Sequence, residues 1–177
     1  MTAIEPLGTA AHPAIVKSQC WRNEADTERF ARALAAQPEL HHAYIELQGD
    51  LGAGKTTFVR HLLRALGVQG RIKSPTYAVV EAYELTLPQT LSIWHFDFYR
   101  FSDPQEWEDA GFRDIFDSPG LKLAEWADKA AGHVPVADLV LQLQVQDDEC
   151  RQVTLIAQSA CGDSLLNALT SPAPASH

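Results

Sequence analysis

Two segments of this chain have apolar residues at the spacing of an amphipathic helix. The first covers residues 24–37, with Asn23 in position to cap its N-terminus and Pro38 just beyond its end. The second covers residues 56–66, and Gly67 follows it as a C-terminal stop. Both segments are therefore predicted to form helices.

Shorter apolar runs, bounded by polar and turn-forming residues, predict strands. Two short helices are also expected, one opening at Pro104 and one over residues 163–169. The predicted strands cover residues 43–48, 78–85, 91–98, 121–124, 139–146 and 151–158, the last two as a hairpin. Strands interleaved with helices predict an α/β fold with a mixed central sheet.

Length and composition fit one globular domain, since hydrophobic residues make up 46% and charged residues 21% of the 177 positions. We assign residues 14–170 to that domain, residues 1–13 to a loose leader, and residues 171–177 to a disordered tail. No apolar run reaches the ~18 residues of a membrane span. The N-terminus also lacks a secretory signal pattern, so we expect a cytoplasmic protein without membrane contact.

The net charge of −9 argues against a nucleic-acid binder that works through a broad basic field. A local basic face is still possible, although a solvated helix face is the interpretation we favour for Arg60, Arg64, Arg71 and Lys73. The cysteines are odd in number and have no C-x-x-C spacing. They are expected to be free thiols in a reducing compartment: Cys20, Cys150 and Cys161.

The segment from Gly49 to Thr56 matches G-x-x-x-x-G-K-[ST], the phosphate-binding loop of nucleotide hydrolases. A predicted strand precedes it and a predicted helix follows, so free N–H groups and the helix dipole would favour an anion there. Lys55 can reach the β- and γ-phosphates, and the Thr56 hydroxyl can bind Mg²⁺. The alternative is a Gly-rich connector that binds nothing.

Two predicted strands end in a carboxylate, Asp97 after residues 91–96 and Glu125 after residues 121–124. The ends of strands in an open α/β sheet converge on the ligand crevice, where such acids complete a Mg²⁺ site or position water. Either acid could instead only cap a turn. No zinc motif occurs among the seven histidines, and no G-x-S-x-G motif occurs.

Beyond the phosphate loop, three further elements follow in order: Lys73-Ser-Pro-Thr-Tyr77, His95-Phe-Asp-Phe-Tyr-Arg100 and Glu125-Trp126. This set, over roughly residues 20–157, resembles the TsaE (YjeE) family. That family comprises bacterial ATPases of the pathway that makes threonylcarbamoyladenosine in tRNA. The resemblance implies a P-loop NTPase-like three-layer sandwich with a mixed central sheet.

The resemblance also implies roles for individual residues. Thr56 and Glu125 would hold Mg²⁺, and Asp97 would be the catalytic acid that orients or activates water, with Lys55 neutralising charge. The division of labour between the two carboxylates is left open by residue type. The resemblance would assign phosphate contacts to Gly49, Gly52, Ala53, Gly54, Lys55, Thr56 and Thr57. Outside the loop it would assign nucleotide contacts to Thr27 and Arg151, a γ-phosphate-sensing switch to Ser74, Pro75, Thr76 and Tyr77, and a nucleotide-side or partner contact to Trp126.

By the same resemblance, the protein would be an accessory Mg²⁺-dependent ATPase that converts ATP to ADP. It would bind the TsaD–TsaB pair and meet tRNA only through that complex. Arg100 is a candidate arginine finger but could equally pair with a nearby acid. Two alternatives are a small phosphate-loop kinase and a nucleotide-gated binding module without meaningful catalysis.

Overall fold

A seven-stranded sheet organises the computed structural model, which describes residues 13–86 and 88–170. The strands are β1 Ile15–Trp21, β2 Tyr44–Gln48, β3 Val80–Leu85, β4 Leu91–Asp97, β5 Leu121–Glu125, β6 Leu139–Val145 and β7 Arg151–Ala157. Along the sheet the strand order is β1-β7-β6-β2-β5-β4-β3. The predicted leader up to residue 12 and the predicted tail at 171–177 lie outside the described residues.

The centre of the sheet is parallel and its borders are antiparallel. Strand β2 pairs in parallel with β5 and β6, and β5 pairs in parallel with β4. Strands β3, β7 and β1 join by antiparallel pairing. Every residue of β5 is buried, as expected for a parallel strand covered on both faces.

Helices cover both faces of the sheet and give three layers. The helices are α1 Glu24–Ala35, α2 Lys55–Leu66, α3 Pro104–Asp109, α4 Phe112–Asp117 and α5 Ala160–Thr170, with 3₁₀ turns at Pro38–His42 and Ala127–Ala130. Helices α1, α2 and α5 pack over one face, where one apolar cluster includes Leu34, Leu62 and Leu166. A second cluster on the other face includes Trp107 and Phe112 from α3 and α4. The predicted three-layer α/β sandwich with a mixed sheet is confirmed.

Two capping residues predicted from the sequence lie at the helix ends that the structure shows. The Asn23 side chain accepts the Asp26 N–H, and Gly67 adopts the left-handed conformation at φ +105°. Helix α1 stops at Ala35, two residues before the predicted end, because Gln37 is extended as the residue before Pro38. Within the described residues, no helix is long and apolar enough to cross a membrane.

One strand, one short helix, two 3₁₀ turns and one covalent link were not predicted. Strand β1 lies at the sheet edge and α4 has only six residues, so neither has a strong periodic pattern. The expectation of free thiols is wrong for Cys20 and Cys150, which form a disulfide with their Cα atoms 6.2 Å apart. The reason is the β1–β7 pairing, which joins residues 130 positions apart and leaves no local sequence signal. These two cysteines therefore do not indicate a reducing compartment.

Candidate functional site

The predicted phosphate loop connects β2 to α2 and depends on glycine at two positions. A Cβ added to Gly49 would lie 2.5 Å from the Leu143 carbonyl oxygen, so the loop can pass β6 only without a side chain there. Gly54 has φ +107° and caps α2 without a side-chain hydrogen bond. The first N–H groups of α2 therefore point out of the helix end and can donate hydrogen bonds to an anion.

Lys55 is buried directly behind this loop. Its Nζ donates to the carbonyl oxygens of Gly49 and Asp50, the latter at 3.0 Å, and lies 4.1 Å from the ring centroid of Trp126. Burial lowers the pKa of Lys55, and the nearby carboxylates of Glu125 and Asp97 oppose that shift. The ammonium is thus held by neutral carbonyls and a ring face, partners that an anionic phosphate oxygen can replace.

Thr56 and Glu125 meet at the end of β5. The Thr56 hydroxyl lies 3.0 and 2.9 Å from the two carboxylate oxygens of Glu125. Glu125 is 2% exposed, and its Oε1 lies 2.8 Å from Nε2 of the fully buried His95. A hydroxyl and a carboxylate side by side are the oxygen donors that Mg²⁺ takes from proteins, with waters and phosphates completing the shell. This donor set fits the predicted metal site.

Asp97 ends β4 beside Glu125, because the two residues are partners in the β4–β5 register. Its Oδ2 accepts hydrogen bonds from the Ser74 and Thr76 hydroxyls, the second at 2.9 Å. Its Oδ1 accepts the Tyr99 N–H at 2.9 Å. The predicted catalytic acid therefore holds the predicted switch segment against the site.

The chain after that segment is strained. Val79 has φ +65°, which is an outlier for a β-branched residue. Its N–H donates to the Pro75 carbonyl at 2.6 Å, and its own carbonyl accepts the Asp97 N–H at 2.8 Å. Residues 74–79 thus form a loop tied to Asp97 at both ends, and we call it the switch loop.

Trp126 follows Glu125 in the left-handed region at φ +58°, a second strained position. This turn brings the indole over Lys55 and against Tyr99, with ring centroids 5.1 Å apart. The two aromatic side chains form a wall beside the phosphate loop.

One cavity of about 330 Å³ joins these groups. It brings together eleven of the residues that the sequence assigned to the site, and it adds Leu51 and Tyr99. The eleven are Gly52, Gly54, Lys55, Thr56, Thr57, Ser74, Thr76, Asp97, Glu125, Trp126 and Arg151.

Two predicted loop residues act through their backbone. The carbonyl of Gly49 accepts from Lys55, and the carbonyl of Ala53 accepts from Arg151 Nε at 3.0 Å. Arg151, the first residue of β7, therefore braces the loop as well as lining the cavity.

Three other assigned residues lie elsewhere. Thr27 is 4% exposed on α1 and does not line the cavity, so its contact with a nucleotide stays a prediction. Pro75 is buried, whereas Tyr77 is 84% exposed. Arg100 lies over Tyr77, with Cζ 4.5 Å from the ring centroid, so it pairs with an aromatic ring instead of an acid.

His95 and Tyr99 were missed as site residues, although both belong to the His95–Arg100 motif. Alternation along β4 puts His95 on the same side as Asp97, which is the signal that could have identified it. Across the residues that the structure describes, no three His, Cys, Asp or Glu side chains cluster as a metal site. A Mg²⁺ ion here would therefore depend on phosphate and water oxygens for much of its coordination.

The family model for "Threonylcarbamoyl adenosine biosynthesis protein TsaE" matches residues 21–153. A curated relative from Haemophilus influenzae, a tRNA threonylcarbamoyladenosine biosynthesis protein TsaE, is 40% identical over 81% of this chain and 88% of its own length. The protein of the same name from Bacillus subtilis is 33% identical over 80% of this chain and 87% of its own.

A solved structure is similar over nearly the whole length. The crystal structure of Bacillus subtilis YdiB superposes with a TM-score of 0.71 at 25% identity, covering 90% of this chain and 97% of that one. The likeness in sequence and in fold extends well beyond the phosphate loop.

Proposed function

Since this chain belongs to the TsaE family of threonylcarbamoyl adenosine biosynthesis proteins, we propose that it is the accessory Mg²⁺-dependent ATPase of that tRNA-modification pathway. It converts ATP to ADP in the cavity at the end of β2, and it does so as a cytoplasmic partner of the TsaD–TsaB pair. It reaches tRNA only through that complex.

The observation that carries the proposal is the convergence of three features on one cavity. The phosphate loop supplies a helix N-terminus and Lys55, and the Thr56–Glu125 pair supplies oxygen donors for a metal. Asp97 supplies a second carboxylate on the adjacent strand. Phosphoryl transfer needs these parts together, because its catalysis is mostly positioning and charge neutralisation.

Each residue has a distinct task in this proposal. Thr56 and Glu125 hold Mg²⁺, which when bound neutralises charge on the transferring phosphoryl group. Lys55 exchanges the loop carbonyls for phosphate oxygens. Asp97 orients the attacking water, and to do so it must give up at least one of the hydroxyls that now occupy Oδ2.

The same geometry supports slow turnover by the isolated protein. Arg151 lines the cavity, but its Nε is engaged with the Ala53 carbonyl, and Arg100 lies over Tyr77. In the described part of the chain, no other arginine lines the cavity. A partner that rearranges the switch loop or supplies a cation would raise the rate, as arginine fingers do in other phosphate-loop enzymes.

The test is release of inorganic phosphate from ATP and Mg²⁺, with and without the TsaD–TsaB pair of the same organism. We expect slow release alone and clear stimulation by the pair. Lys55→Ala should lose nucleotide binding and release in both conditions, because no other cation replaces its ammonium in the loop.

Three results would contradict parts of the proposal. Turnover retained by Lys55→Ala would refute the phosphate-loop assignment. Phosphorylated product without free phosphate would indicate a kinase. ATP binding with no release in either condition would indicate a nucleotide-gated binding module.

A further inference from the structure

Charge is distributed very unevenly along this acidic chain. Residues 51–80 hold five of the 14 Lys and Arg residues and none of the 23 Asp and Glu residues. One of the five, Lys55, is buried behind the phosphate loop. The other four are exposed, and they form a cationic surface on a protein of net charge −9: Arg60, Arg64, Arg71 and Lys73.

The fold gathers these four residues into one groove. Arg60 and Arg64 are four residues apart on α2 and share a helix face. A turn follows the helix, with Gly67 at φ +105° and Gly70 at φ +82°, and it returns the chain past the same face. The resulting groove has a volume of about 540 Å³ and is lined by Thr56, Arg60, Arg64, Arg71, Ile72, Lys73 and Ser74. We call it the basic groove.

The cations of the basic groove have no ion-pair partner within the part of the chain that the structure describes. Throughout the described ranges, no carboxylate oxygen lies within ion-pair distance of any of the four. Arg64 is bonded instead to backbone, with its guanidinium donating to the carbonyls of Val68, at 2.8 Å, and Gly70. Those bonds orient the side chain without cancelling its charge. Because the side chain is already ordered, less conformational entropy is lost when it binds an anionic partner.

The basic groove is continuous with the nucleotide cavity and with an exposed aromatic residue. Thr56 and Ser74 line both the groove and the cavity. An adjoining depression shares Arg71, Lys73 and Ser74 with the groove, and it is also lined by the 84% exposed Tyr77 and by the exposed carboxylate of Glu81. Tyrosine and arginine are among the residues enriched in the contacts that contribute most of the binding energy in protein interfaces.

We propose that the basic groove, together with Tyr77 in the adjoining depression, is the surface that docks an acidic face of the protein partner. This inference rests on the proposed function, which makes that partner the TsaD–TsaB pair. Opposite charge steers association and fixes orientation, and the groove offers for that purpose four cations that no carboxylate of the described residues pairs with.

A protein partner fits the charge pattern better than RNA does. The four exposed cations of residues 51–80 line one groove, whereas all the carboxylates of the chain lie outside that segment, the exposed Glu81 immediately after it. A tRNA carries a phosphate at every nucleotide, so it would extend past the groove and meet acidic surface. An acidic protein face can be confined to the groove alone.

Docking at this surface would act directly on the catalytic geometry. A partner seated in the groove touches Ser74, whose hydroxyl is bonded to Asp97, and Thr56, whose hydroxyl is bonded to Glu125. Association and the nucleotide cycle would therefore be coupled through those two residues.

The experiment removes the groove charges and compares the result with an equal change elsewhere. The variant Arg60→Gln/Arg64→Gln/Arg71→Gln is matched with Arg29→Gln/Arg32→Gln/Arg113→Gln, whose side chains are largely exposed on other surfaces. Both lose three positive charges. A second groove variant, Arg60→Gln/Arg71→Gln, leaves Arg64 and its turn intact, and thermal melting checks that all three variants fold.

Association with the TsaD–TsaB pair is measured at low and high salt, together with ATP binding by each isolated variant. We expect both groove variants to bind the pair about tenfold or more weakly, mainly through a slower association rate, and to lose most of the salt dependence. The matched control should associate like the unchanged protein. ATP binding should be unaltered in all of them.

Three outcomes would overturn the inference. Equal association of the groove variants and the unchanged protein would exclude this surface and leave the proposed ATPase intact. Direct binding of tRNA by the isolated protein, lost in the groove variants, would assign the groove to RNA instead. If the unchanged protein does not bind the pair at all, the partner in the proposed function is wrong, and the inference is lost with it.

Discussion

At the scale of single residues, the role proposed for Asp97 can be tested with Asp97→Asn, which keeps the size and one acceptor oxygen but removes the charge. ATP binding should be retained, because Lys55 and the helix N-terminus hold the phosphates. Turnover with the TsaD–TsaB pair should fall by about 100-fold or more, the usual contribution of a positioned acid–base group. Nucleotide titration and phosphate release measure the two effects separately.

Asp103→Asn is the matched control for that substitution. Asp103 caps α3 through the Gln105 N–H, a task that asparagine also performs. The turnover of Asp103→Asn should equal that of the unchanged protein. Near-normal turnover of Asp97→Asn would remove Asp97 from the chemistry and leave it as an anchor of the switch loop.

The phosphate loop and the strand-terminal acids could be predicted because each is marked by local sequence. Lys55 and Thr56 follow from the motif spacing, and Asp97 and Glu125 follow from apolar runs that end in an acid. The contacts of these residues could not be predicted in the same way. Ser74 reaches Asp97 across 23 positions, and that contact depends on β3 and β4 lying side by side.

Glu125→Gln tests the metal site. Glutamine can still bond the Thr56 hydroxyl and the His95 ring, so the local packing should persist, but it is a much poorer ligand for Mg²⁺. The Mg²⁺ concentration for half-maximal turnover should rise about tenfold or more, since losing even an outer-shell partner often costs that much. The exposed Glu84→Gln on β3 serves as control, and an unchanged magnesium titration for Glu125→Gln would exclude this residue from the site.

At the scale of helices and strands, the sequence predicted the helices whose ends are marked by a capping or turn-forming residue. Asn23, Gly67 and Asp103-Pro104 each marked a helix end that the structure bears out. Strand β1 was missed because it pairs only with β7 at the sheet edge and has no regular apolar alternation. Edge pairing of this kind depends on a strand at the other end of the chain, so a local window contains no sign of it.

Helix α5 offers a test of how tightly these elements pack. A Cβ on Gly162 would lie 1.9 Å from the Asp138 carbonyl oxygen, and backbone cannot move aside as a flexible side chain does. Gly162→Ala should therefore push α5 away from β6 and lower the free energy of unfolding by about 1–3 kcal/mol, the usual cost of overpacking. Chemical denaturation of Gly162→Ala and of the unchanged protein measures the difference in their free energies of unfolding.

The exposed Ser164→Ala, two residues further along the same helix, is the control and should be neutral or slightly stabilising. A Gly162→Ala protein as stable as the unchanged one would show that α5 can shift at no cost.

At the scale of the whole molecule, the α/β class followed from strands interleaved with helices and the three-layer arrangement from the family resemblance, but neither predicted the order of strands in the sheet. The central position of β2 between β5 and β6 brings the loop, Glu125 and Asp97 to one edge. The pairing of β1 with β7 also joins Cys20 to Cys150 and sets Arg151 against the loop. These are long-range pairings, and composition and periodicity do not encode them.

The predicted domain limits, residues 14–170, can be tested by truncation. The described elements run from Ile15 in β1 to Thr170 in α5, so a chain of residues 14–170 should match the full-length melting temperature and phosphate release. A chain ending at Ser159 should be much less stable, because it loses Leu165 and Leu166, both fully buried against the sheet. Truncating one such leucine to alanine already costs about 2–5 kcal/mol. If the 14–170 chain melted well below the full-length protein, the terminal segments would belong to the domain, and the predicted boundaries would be wrong.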